Sequence, residues 1–85
     1  MGKDVFIERL RPWAKIGFNL IIVSKVNNQR EIYACVSGLH HSPRLFIRRL
    51  NANEDEATHV AAYQKLLVEF NIKVIKKRKA KHELV

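Results

Sequence analysis

The sequence predicts an α+β domain, a three-stranded antiparallel sheet packed on one face by two helices, in α-β-β-β-α order. Three observations carry this expectation. Apolar residues recur at helical spacing near the start of the chain and again after Asn53. Two runs rich in β-branched residues are joined by Asn27-Asn28-Gln29, and a third run, Arg44–Leu50, follows a loop. The 85 residues suffice for one domain, and an apolar content of 47% is ordinary for a folded chain.

The first element is expected as a helix over residues 4–16. Asp4 is an acceptable N-cap, and Phe6, Leu10, Trp13 and Ala14 keep helical spacing. Gly17 is placed to end the helix as its C′ residue, with Phe18 just beyond it. Pro12 lacks a donor and restricts Arg11, so a kinked helix, or a short helix followed by a single turn, is expected.

Residues 18–26 and 31–37 read as a β-hairpin. A two-residue Asn27-Asn28 turn would pair Ile22 with Tyr33 and Leu20 with Cys35. A three-residue loop, 27–29, would pair Phe18, Leu20, Ile22 and Ser24 with Gly38, Val36, Ala34 and Ile32. The second register groups the more apolar sets and sets Lys25 opposite Glu31, and is preferred. It leaves Ile21, Val23, Tyr33 and Cys35 on the other face. Ile21, Val23 and Tyr33 are then a candidate interface, for a C-terminal segment, a second subunit or a ligand.

Gly38–Pro43 is a loop containing His40 and His41, and Arg44–Leu50 is the third strand. The second helix is expected to open on Asn53 as N-cap with Glu56 at N3, and Glu54, Asp55 and Glu56 suit its dipole. Ala57, Val60, Tyr63, Leu67 and Phe70 form its buried stripe, widened by Ala61 and Leu66, and Asn71 ends it. Ile72–Ile75 is read as a short C-terminal strand. Residues 1–75 then form the domain and residues 76–85 a basic tail.

Charge is the most informative part of the composition. The formal net charge is +8, and residues 72–85 hold six basic residues and one acid, a net +5. Lys73, Lys76, Lys77, Arg78, Lys79 and Lys81 suit phosphate contact without base specificity; the blander alternative is a solvated tail. Arg44, Arg48 and Arg49 offer bidentate contacts, with Arg44 and Arg48 on one face of a regular strand and Arg49 on the other. Tyr33 is the one aromatic the preferred register turns away from the core, and it suits stacking on a base or covering Ile21 and Val23.

Other chemistry is sparse. Cys35 stands alone, so no intramolecular disulfide forms, and no Cys/His zinc spacing is present. P-loop, dinucleotide, catalytic-triad and metal-loop motifs are absent, and no cofactor is expected. No apolar run approaches a membrane span, and the first residues lack a signal-peptide core, so a cytoplasmic location is expected, or a nuclear one in a eukaryote.

The order of elements resembles that of double-stranded-RNA-binding domains. Leu10…Gly17-Phe18-Asn19-Leu20 is similar to the opening of HicA-type toxins, over about twenty residues. Gly38-Leu39-His40-His41 stands where those toxins carry a Gly-Ser-His strand motif, and the second helix opens on acids where the RNA-binding domains carry bases. Three strands and a helix are also similar to an integrase arm domain, which reads DNA with its sheet. The expected function is non-enzymatic binding of DNA or RNA. The rivals are a protein-interaction module, homodimeric or docked on a nucleic-acid enzyme, and a small ribonuclease using His40 or His41.

Overall fold

The computed structural model describes the backbone at residues 3–38 and 43–83 and the side chains at residues 5–38 and 43–77. Its elements are α1 (Lys3–Leu10), a 3-10 helix (Arg11–Trp13), β1 (Leu20–Val26), β2 (Gln29–Cys35), β3 (Leu45–Leu50) and α2 (Glu56–Glu83). The strands form one antiparallel sheet in the order β1-β2-β3, and the class is α+β as expected.

Pro12 decides how the first helix ends. The α-helix stops at Leu10 and the chain tightens into the 3-10 helix, the short-helix-and-turn alternative. Asp4 lies inside α1, which starts at Lys3, so it is not the N-cap. Ile16 N donates to Trp13 O at 2.9 Å, and Gly17, at φ 77°, then turns the chain into the sheet. Gly17 therefore follows the turn at residues 14–16 that succeeds the 3-10 helix and is not the C′ residue of the α-helix.

The hairpin has the two-residue turn, and the preferred three-residue register is overturned. Asn27 and Asn28 both have positive φ, 51° and 63°, as a type I′ turn requires. This turn matches the right-handed twist of the strands, and asparagine tolerates its conformation. Leu20 pairs with Cys35, Ile21 with Ala34, Ile22 with Tyr33 and Val23 with Ile32, and Lys25 meets Arg30 instead of Glu31. Ile21, Ile32 and Ala34 are buried in the core, with Val23 packed against it. Ile21 and Val23 are thus core residues and not an interface; Tyr33 remains on the outer face with Ile22.

A β-bulge interrupts the pairing of β2 with β3: Tyr33 faces Phe46, but Ile32 faces Arg48, so Ile47 is the extra residue. The bulge lets both Ile47 and Leu50 point into the core. It also breaks the alternation on which Arg44 and Arg48 were expected to share a face. Arg9 of α1 reaches across to the bulge, donating to Ile47 O at 3.0 Å and to Phe46 O.

The N-cap of α2 is Asp55, two residues after the expected Asn53. Asp55 Oδ2 accepts from Thr58 N at 3.0 Å and from the Thr58 hydroxyl. Residues 51–54 turn first, with Glu54 N donating to Asn51 O at 3.1 Å, and this carries the helix start past Asn53. Tyr63 and Leu67 are buried, and Val60, Leu66 and Phe70 pack against the core, whereas Ala57 and Ala61 are exposed. Phe6 of α1 meets Tyr63 edge to face, with ring centroids 5.1 Å apart.

Neither the expected stop at Asn71 nor a strand at Ile72–Ile75 is found. Once nucleated, a helix extends at the cost of one residue at a time, and 72–83 simply continue it. Asn71 turns its side chain to Phe18 O, donating at 2.9 Å. With 28 residues, α2 is about 42 Å long. Gln64 meets the edge of the sheet at β1: its Oε1 accepts from Ile21 N at 2.9 Å, and its Nε2 donates to Asn19 O at 3.0 Å.

Candidate nucleic-acid interface

Because α2 continues, the basic residues fall on a helix instead of a loose tail. Lys73, Lys76 and Lys77 lie at i, i+3 and i+4 and share one face. They rim an open cleft of about 430 Å³ between the α1/3-10 segment and α2. Its floor is apolar, made by Ile7, Ala14, Phe70 and Val74, and Arg11 supplies the fourth cation of the rim. The sequence reading missed Arg11, which joins this group only because the 3-10 helix packs beside α2. Arg11 Nε is 3.3 Å from Glu8 Oε1, but both side chains are largely exposed, and such a pair is easily exchanged for another anion. Arg78, Lys79 and Lys81 continue the helix backbone, and their side chains lie outside the described residues.

The three strand arginines have separate surroundings. Arg48 Nη2 donates to both carboxylate oxygens of Glu54, at 2.9 and 2.8 Å, so Arg48 is held in an internal ion pair. Glu54 also accepts from Asn51 N at 3.0 Å and lies 3.0 Å from His59 Nε2. The Asn51 N–H holds its carboxyl below the ordinary range, opposed by desolvation and aided by the charges of Arg48, His59 and Arg30. Arg30 closes the same turn, donating to Asn51 O at 2.6 Å and Glu54 O at 3.0 Å.

Arg44 and Arg49 are exposed, and the charges of both act on Tyr33. Burial raises the Tyr33 pKa first, reinforced by its bond to Glu31, and the two arginines pull it back. Tyr33 Oη donates to Glu31 Oε1 at 3.2 Å, while Arg49 Nη2 donates to Glu31 Oε2 at 3.4 Å.

No protein-family model, curated protein or solved structure matches this chain. Function is therefore argued from its own surface. A second cleft, of about 480 Å³, lies between β3 and α2 and is lined by Arg48, His59, Tyr63, Lys65, Leu66 and Glu69 among others. It mixes signs, with Glu69 in its wall and Arg48 bound to Glu54, and suits a polyanion less well than the basic cleft. His40 and His41 lie outside the described residues. Among the described residues no group of three or more His, Cys, Asp or Glu could hold a metal ion, and no helix is long and apolar enough to cross a membrane.

Proposed function

We propose that this protein binds nucleic acid without catalysis, gripping the phosphate backbone along the basic half of α2. The supporting observation is the gathering of Arg11, Lys73, Lys76 and Lys77 round one cleft with no carboxylate in its lining. Four cations on two elements follow a phosphate chain better than a solvated tail does, because the helical backbones that carry them are already folded. Each neutralised phosphate releases condensed counterions, which drives binding and makes it fall with salt. Arg44 and Arg49 lie on the outer face of the sheet, away from the helices, and form a separate positive surface. Binding at these groups needs no base specificity, since phosphate contacts position without reading sequence.

The test is a titration with duplex DNA over a range of salt concentrations. Replacing Lys73, Lys76 and Lys77 together by Gln flattens the log–log salt slope by about 2.7, from roughly 0.9 per contact. An unchanged slope would move the binding surface elsewhere.

A second reading, a protein-interaction module, is supported by Val68, Ile72 and Ile75. They lie at i, i+4 and i+7 on α2 and are 47%, 47% and 52% exposed. The salt slope separates the two readings, because docking of an apolar stripe does not produce one.

A further inference from the structure

Both helices cover the same side of the sheet, and among the described residues neither helix covers the outer face, where Cys35 is buried at one end. That face carries Ile22 and Tyr33, with Leu20 and Phe46 each 39% exposed. Tyr33 and Phe46 are direct cross-strand partners, their ring centroids 5.6 Å apart and their planes at 68°. Rings at that angle cannot both lie flat on one base, so the pair offers one stacking position with the second ring bracing the first. The Tyr33 hydroxyl is tied to Glu31, which fixes the brace. Among the described residues Glu31 is the one acid on this part of the face; it is largely buried and already bonded to Tyr33 and Arg49. Arg44 stands two residues before Phe46, and Arg49 lies across from Glu31.

We propose that the outer face of the sheet is a base-stacking platform for single-stranded nucleic acid, with Phe46 and Tyr33 as its rings and Arg44 and Arg49 as the flanking phosphate contacts. The proposal rests on the nucleic-acid reading above and adds the class of strand. Aromatic rings beside cations are the two parts such a surface needs: bases stack on rings whatever their identity, and the backbone follows the charge. A duplex keeps its bases stacked on one another and gains nothing from the rings. Charge also selects the occupant. A second copy would bring another net +8 and double Arg44 and Arg49 across the contact, whereas a polyanion is attracted to both.

The test uses the full chain and three probes: a thymidine strand of about ten nucleotides, within the usual site size, its abasic analogue of equal charge, and a duplex of the same length. The thymidine strand should bind about 5- to 150-fold more tightly than the abasic one for each base stacked. Phe46→Ala should remove most of that preference while leaving the salt slope unchanged, and Phe46→Tyr should restore it. Phe46→Leu, which keeps the apolar bulk, gives the same answer if the alanine variant fails to fold by circular dichroism. Equal affinity for thymidine and abasic strands overturns the platform but leaves the phosphate reading standing, provided both still bind with a salt slope. No salt-dependent binding to any probe overturns both. A wild-type dimer in sedimentation that Ile22→Glu dissociates also overturns the platform, by assigning the face to protein.

Discussion

Gln64 bonds the backbone of Ile21 and Asn19 with one amide, acceptor to N–H and donor to C=O, as a neighbouring strand would. It closes part of an edge that would otherwise be a template for pairing with another chain. Truncation leaves the partly buried Ile21 N–H without a partner, while water can replace the bond at the exposed Asn19 O; an unsatisfied buried group costs roughly 1–3 kcal/mol. Gln64→Ala should therefore lower stability by about 1–3 kcal/mol in urea unfolding. Gln64→Glu keeps an acceptor for Ile21 N but sets a carboxylate oxygen against Asn19 O, so it should not restore the stability lost in Gln64→Ala. Equal stability of wild type and Gln64→Ala would show that solvent satisfies this edge. Arg9 and Arg30 do comparable work at the β3 bulge and at the turn before α2, each binding main-chain carbonyls far away in sequence. None of these roles can be seen from the neighbours of these residues along the chain.

Among the elements, the hairpin is the one whose register decides the most. A slip of one residue sends every side chain of β1 to the opposite face. With the Asn27-Asn28 turn, Val23 faces the helices and Ile22 faces outward beside Tyr33. Val23→Glu should place an unpaired charge against the core and severely destabilise the domain, whereas Ile22→Glu should fold. The thermal midpoints of the two variants check this, and the reverse order would restore the three-residue loop. The bulge at Ile47 makes a similar decision for β3, because it puts Arg48 against Glu54 and leaves Arg49 outward near Tyr33.

Across the whole molecule, 16 Lys and Arg face only 8 Asp and Glu. Two of those acids, Glu54 and Asp55, organise the turn that launches α2, and hydrogen bonds hold both carboxyls low: the Asn51 N–H for Glu54, and the Thr58 hydroxyl and N–H for Asp55. A carboxyl with a depressed folded-state pKa contributes stability above its unfolded value, and that contribution is lost as pH falls through the folded one. Stability should thus hold from neutral pH to about pH 4.5 and fall steadily below it, as the ordinary carboxylate range is crossed. Protonation also strips the cations of their counter-charges, so added salt should recover part of the loss. Urea midpoints at pH 7 and pH 3, with and without salt, measure it. Glu54→Gln should already show part of the acid loss at pH 7, and a midpoint unchanged on acidification would remove Glu54 and Asp55 from the account.

The sequence by itself determined the α+β class, the order of elements and the inward face of α2 at Val60, Tyr63, Leu67 and Phe70, because hydrophobic period and turn chemistry are local properties. It also carried both hairpin registers, since Asn27-Asn28 is legible as a turn, but matching apolar sets alone favoured the wrong one. The turn's backbone twist and the cover supplied by two helices selected the other, and with it the inward side of Ile21 and Val23. The end of α2 was misread for a related reason: Ile72–Ile75 is β-branched, yet a helix already begun extends more cheaply than a new strand can be paired. Lys73, Lys76 and Lys77 were legible as cations but not as one face, and Arg11 was not legible as their neighbour. Only packing sets those residues round one cleft, because distance along the chain carries no record of which helices will lie side by side.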